Sequence, residues 1–189
     1  MRNLAIWAAV FWSLAVGGAG AAPANCSRTE ISGERTLCHE AVIDAPAAEV
    51  WRLFATSEGL GSWPAPVVAI DLREGGMWES AYDRAARIGD AGNIRNRIVA
   101  FTPERLLIIQ VASAPPNFPH ADLVGELVTL ISLEPIDATH TRVRVSMLGY
   151  RAGEGFDALY RHFDWGNAYT LDALAARVAN GPTDWSAAQ

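Results

Sequence analysis

The sequence predicts an α+β domain in which a curved antiparallel sheet of about six or seven strands faces a single long helix at the C-terminus. Three observations carry that expectation. Strand-like runs alternate apolar and polar residues between turn signals from residue 67 to residue 150. One helical stripe then runs from about Gly155 to Ala179 and is ended by Asn180-Gly181-Pro182. Ahead of the strands, only two short helices fit between the first strand and the rest of the sheet.

The chain opens "MRNLAIWAAVFWSLAVGGAGAAPANC". An arginine, an apolar run from Leu4 to Val16 and an exit of small residues form the layout of a secretory signal peptide over residues 1–21. The apolar run falls short of the roughly 20 residues needed to cross a bilayer. Cleavage after Ala21 or after Ala24 satisfies the small-residue rule equally. The mature protein is therefore expected to be periplasmic or secreted, with no stable membrane insertion.

Residues 22–35 read as a hairpin extension that precedes the main domain. "CSRTEISGERTLC" carries a turn signal at Ser32-Gly33 between short strand-like segments. A three-residue loop with Gly33 in the left-handed conformation sets Glu30 opposite Glu34. The same register brings position 26 opposite position 38. In an oxidising compartment that register predicts a Cys26–Cys38 disulfide.

The main domain is expected over residues 36–180, with a flexible tail over 181–189. Arg35 to Ile43 alternates as a strand whose one face holds Leu37, Ala41 and Ile43, with His39 among them by parity. Pro46 starts a helix with Val50, Leu53 and Phe54 at helical spacing. Gly59 and Gly61 break it before Trp63. "VVAIDL" and "MWESAY" form a hairpin about residues 74–76, and "NIRNRIVAFT" and "RLLIIQVA" form another. "APPNFPHAD" has three prolines and no periodicity, and so reads as an irregular rim. The last hairpin joins "LVGELVTLISLE" to "TRVRVSMLGY". In the latter, Val143, Val145 and Met147 alternate with Arg142, Arg144 and Ser146, the pattern of a sheet covered on one side. A helix about 10 Å across cannot seal the whole inner face of such a sheet, so a gap between the layers is expected.

Composition narrows the function classes. The net charge is −6 and the 15 basic residues, all arginine, are scattered. That excludes the concentrated basic footprint of a nucleic-acid binder. The four histidines lack metal-ligand spacing, and no nucleophile elbow is present. Neither a metal nor an organic cofactor is expected.

The order "VIDAP", "EVWRLF", "EGLGSWPAPVVAIDLREGGMW", "IVAFTPERLLI" and "FDWGNAYTLDALAARV" resembles the START-like, or SRPBCC, superfamily over residues 36 to 179. It looks closest to the branch that includes the chaperone ATPase-activator C-terminal domain. The resemblance implies a helix-grip fold that holds a hydrophobic small molecule, lipid-like or polyketide-like, in a cavity between sheet and helix. It leaves open two other classes: a cyclase- or hydrolase-type enzyme in the same cavity, and a protein-interaction module with a filled core.

Candidate ligand residues follow from aromatic and misplaced polar positions. Trp63, Trp78 and Tyr82 are expected on cavity walls, with Tyr82 sharing Trp78's face. Tyr150, Phe156, Tyr160 and Phe163 stand near the start of the long helix, and Phe118 lies in the proline loop. Asn96, Thr129 and Asn167 interrupt apolar faces, where an unpartnered polar group costs a few kcal/mol. His120 and His162 are the candidate acid–base residues, with Glu126 and Asp157 as possible partners.

Overall fold

A computed structural model describes residues 22–187 of the chain. The expected leader over residues 1–21 lies outside the described residues. The first elements are β1 (Ala24–Asn25), β2 (Arg28–Thr29) and β3 (Arg35–Ile43). Arg28 pairs with Thr36 and Asn25 with His39, so one register runs through the whole hairpin. Gly33 takes φ 86°, the left-handed turn position, and the Glu30 N–H donates to the Glu34 carbonyl at 2.8 Å. The same register joins Cys26 to Cys38 in a disulfide with Cα atoms 4.8 Å apart.

Two helices follow, α1 (Ala47–Ala55) and α2 (Ser57–Gly61). Thr56 separates them in an extended conformation, and its Oγ1 accepts the Gly59 N–H at 2.9 Å, which caps α2. A Cβ on Gly59 would collide with the Arg52 carbonyl, so glycine is what lets α2 fold back on α1.

The remaining strands are β4 (Val67–Ile70), β5 (Met77–Ala81), β6 (Ile94–Thr102), β7 (Leu106–Ser113), β8 (Val128–Pro135) and β9 (Thr141–Tyr150). All are antiparallel, in the order β1-β3-β9-β8-β7-β6-β5-β4, with β2 beside β3. The sheet thus has nine strands rather than six or seven, because the extension adds two short ones. Register shifts between Arg35 and Leu37, between Arg95 and Asn96, and between Ile98 and Ala100 help to bend it.

The loop expected to be irregular contains a one-turn helix, α3 (Ala121–Val124). His120 precedes it in the left-handed conformation, and its carbonyl accepts the N–H groups of Leu123 and Val124. The long helix α4 (Glu154–Asn180) packs chiefly on β3 and then on β9, so it lies over one flank of the sheet. α1 packs on β8, and α2 packs on β4 at the opposite edge. The expected flexible tail has two tertiary hydrogen bonds. Thr183 N–H donates to the Ser62 carbonyl, and the Trp185 indole donates to the Gly61 carbonyl, each at 2.8 Å.

The core is divided. One apolar cluster joins Ala41, Ile98, Ile109, Ile131 and Val145 of the sheet to α1, α2 and Leu171 and Leu174 of α4. The other joins Leu37, Val124, Leu127, Met147 and Tyr150 to Phe156 and Leu159 at the start of α4.

Candidate ligand site at the seam between two apolar clusters

Strand alternation decides what lies between these clusters. On β3, Leu37 belongs to one cluster and Ala41 to the other, and His39 stands between them, 5% exposed. Across the start of β8, Leu127, just before the strand, and Ile131 belong to different clusters, and Thr129 stands between them, paired with Ile109 and Met147. On α4, Asn167 falls between Leu159 and Leu171 and is 8% exposed. On β6, Asn96 pairs with Val111, which packs on the second cluster, and is two residues from Ile98 of the first. The seam is therefore marked by polar side chains on four different elements.

His39 is held on one side only. Its Nε2 lies 3.4 Å from Oδ1 of Asp164 on α4, and Asn25 Nδ2 donates to the same oxygen at 3.2 Å. Its buried Nδ1 has no protein hydrogen-bond partner, and neither has Nδ2 of Asn167. Such atoms are few in folded proteins, because each leaves about 1–3 kcal/mol of desolvation uncompensated. The Tyr150 hydroxyl turns instead to the Met147 sulfur at 3.7 Å. Burial, helped by the neighbouring Tyr160 and Asp164 and opposed by Arg35, pushes its pKa up, so Tyr150 remains a neutral phenol. Arg35 closes this edge, bonding Asp157 at 2.6 Å and lying over the Tyr160 ring at 5.3 Å.

The opposite flank carries Trp78, paired with Asn96 and 9% exposed. Its Nε1 is a third buried atom with no protein partner. Ser80 and Ile94 pair one alternate position further on and border a cleft of about 500 Å³, together with Tyr82, Asn93 and Pro115. That cleft opens at the end of the row that carries the indole. A second cleft, of about 540 Å³, lies between α1, α2 and the end of α4 and is lined by Arg52, Glu58, Ser62 and Arg177 among others. Of the aromatic and polar residues singled out from sequence, Tyr82 borders the first cleft and none borders the second.

The aromatic residues separate into groups. Phe118 and Phe163 stand 6.2 Å apart, and Tyr150 and Tyr160 stand 5.0 Å apart, around Phe156 in the second cluster. Trp63 is on the far side, in the first cluster, where it fills the corner made by α1 and α2. Tyr82 lies just past the end of β5. β5 ends at Ala81 because its partner strand begins just after Pro66, which has no N–H to extend the ladder. Asp83 then accepts the Ala85 N–H in a turn, and Tyr82 is left 69% exposed.

The candidate acid–base pairs do not assemble. His162 is exposed and packs edge-on against Phe118 and Phe163, while Asp157 is bound to Arg35 and Glu126 to Arg151. His120 is exposed beside Gly155. Besides His140, which meets Asp137 at 2.9 Å in the turn before β9, the histidine that has a carboxylate is His39. Its parity on the apolar face of β3 was legible in sequence, but Asp164, its partner, is 125 residues away on α4 (164 − 39).

Comparison with known proteins places this geometry. The family model described as activator of Hsp90 ATPase homolog 1-like protein matches residues 44–179. The solution structure of the Aha1 dimer from Colwellia psychrerythraea superposes with a TM-score of 0.60 at 18% identity, over 77% of this chain and 97% of that one. The crystal structure of CalU16 from Micromonospora echinospora gives a TM-score of 0.58 at 20% identity, over 89% of each chain. Identities at this level speak for the fold alone. No curated protein matches the sequence.

Proposed function

The chain belongs to the activator of Hsp90 ATPase homolog 1-like family, within the START-like superfamily, and on that premise we propose that it is an exported protein that binds a hydrophobic small molecule between its sheet and α4. The observation that carries this reading is the polar seam. His39, Thr129, Asn96 and Asn167 interrupt what would otherwise be one continuous apolar core, and two of them keep a buried atom without a protein partner. A filled interaction module gains nothing from that arrangement, since an apolar side chain at each position would be more stable.

The walls beside the seam suit an apolar ligand. Trp78, Phe118, Tyr160 and Phe163 supply broad aromatic surface, and Ile109, Val111 and Met147 supply aliphatic surface. Affinity would come mainly from burial, at about 25 cal/mol per Å² before ordering costs. Export is supported by the leader-like residues 1–21 and by the Cys26–Cys38 disulfide, a bond that persists in oxidising compartments.

Native mass spectrometry of the mature protein, purified from the periplasm of a bacterial host, tests the reading. The expected result is a reproducible mass adduct that organic solvent extracts and that a folded Phe163→Asp variant lacks. A clean apo mass, together with no binding of neutral apolar fluorophores, would reject it.

A further inference from the structure

We propose that His39 and Asn167, backed by Asp164, form a subsite for a single hydroxyl group, so that the ligand is an apolar alcohol or phenol. This rests on the binding reading above and specifies its ligand chemistry.

The protonation pattern follows from the contacts. Asp164 Oδ1, 3.4 Å from His39 Nε2, favours the tautomer with its proton on Nε2. With its proton on Nε2, the ring offers Nδ1 as an acceptor, buried and without a protein partner. Nδ2 of Asn167 is a donor in the same condition. Asp164 and Asn167 are three residues apart on α4, and side chains at that spacing are neighbours, about 5–6 Å apart at Cβ. Because Asp164 reaches His39, Asn167 lies one turn along the helix from the imidazole.

An acceptor on His39 and a donor on Asn167, one helical turn from the carboxylate that holds the imidazole, match a hydroxyl. Its hydrogen is donated to Nδ1, and its oxygen accepts from Nδ2. A ketone oxygen would serve Asn167 but leave the imidazole unsatisfied, and a hydrocarbon would leave both. A carboxylate would bring a second negative charge close to Asp164, whose Oδ1 already stands against the ring. Asn25, which shares that oxygen, fixes the carboxylate from the edge of the sheet. The N-terminal hairpin therefore takes part in positioning the imidazole.

Three pyrene compounds of matched shape test the subsite by their own fluorescence: pyrene, 1-hydroxypyrene and pyrene-1-carboxylate. The mature protein is expected to bind 1-hydroxypyrene about tenfold more tightly than pyrene, which corresponds to two modest hydrogen bonds made to otherwise unpartnered groups. Pyrene-1-carboxylate is expected to bind more weakly than 1-hydroxypyrene. His39→Leu and Asn167→Leu are each expected to lower the ratio of 1-hydroxypyrene to pyrene affinity at least threefold. Equal binding of pyrene and 1-hydroxypyrene by the wild-type protein overturns the subsite and leaves the apolar-binding reading standing. Binding of none of the three overturns both. The wild-type comparison requires no substitution, so a variant that fails to fold does not remove the test.

Discussion

The indole N–H of Trp63 donates to the carbonyl of Leu53 at 3.1 Å, and its ring meets Phe54 edge-on at 5.3 Å. α1 ends two residues after Leu53, so this bond satisfies one of the carbonyls that a helix end leaves without an intrahelical partner. Trp63, 2% exposed, is the post on which the α1–α2 corner is built.

Trp63→Ala should accordingly destabilise the protein by about 3–5 kcal/mol, the range for removing a buried large aromatic. Trp63→Phe keeps most of the packing but orphans the Leu53 carbonyl, and should cost about 1–3 kcal/mol. Urea denaturation measures both. A Trp63→Phe variant that is as stable as wild type but has lost ligand affinity would contradict this role and return Trp63 to the ligand wall.

Loss of the Cys26–Cys38 bond should remove about 3 kcal/mol, since it closes a loop with a sequence separation of 12. Paired Cys→Ser substitutions and a urea midpoint test this. Thiol titration of the denatured, unreduced protein should find no free thiol. The substitutions should also weaken the hydroxyl preference, because β1, which carries Asn25, is tied to β3 through this bond.

Replacing Asn167 by Leu should stabilise the ligand-free protein by about 1 kcal/mol, as expected when a buried polar group without a partner gives way to an apolar one. The urea midpoint should rise at unchanged slope, and the ligand's own stabilising effect should shrink. A fall in stability of 2 kcal/mol or more would show that Asn167 has a structural partner.

Glu79 provides a pH-dependent contribution. Burial alone would raise its pKa, but the Asn93 amide at 2.6 Å, the Gly89 N–H at 2.7 Å and Arg95 outweigh it and hold the carboxyl below its ordinary 4.5. A carboxyl whose folded pKa is lowered adds stability that is complete above the unfolded value and is lost as pH falls through the folded one. The stability gap between wild type and Glu79→Gln should therefore be constant from pH 7 to about pH 5.5 and shrink below about pH 4.5. Thermal melts across that range read it. A gap that stays constant down to pH 3 would disconnect Glu79 from the 89–95 segment.

Much of the architecture was legible locally. The pairing of residue 26 with residue 38 follows from one turn signal and strict alternation, because register in a hairpin propagates from its loop. β9 occupies the same ten residues that alternate in the sequence, and α4 extends the predicted stripe by one residue at each end. Local reasoning stopped where a neighbour decides. Tyr82 continues the alternation of β5, but Pro66, just ahead of β4, ends the ladder first. α3 escaped notice because a single turn is too short to show a period. The hydrogen bonds of Thr183 and Trp185 depend on free carbonyls at the end of α2, which no feature of the tail reports.

By itself, the sequence determined the family, the pleat and stripe that choose which residues turn inward, and the polar character of Asn96, Thr129 and Asn167 on apolar faces. Those are properties of period, turn chemistry and residue type, and each is contained in a short window of chain. Only the tertiary structure divided the core into two clusters and put those polar residues on the line between them. Only the tertiary structure brought Asp164 to His39, which turned a parity curiosity on β3 into half of a candidate binding site. The reason is physical. Side-chain direction is set by the local backbone, whereas hydrogen-bond satisfaction depends on atoms contributed by elements far apart in the chain.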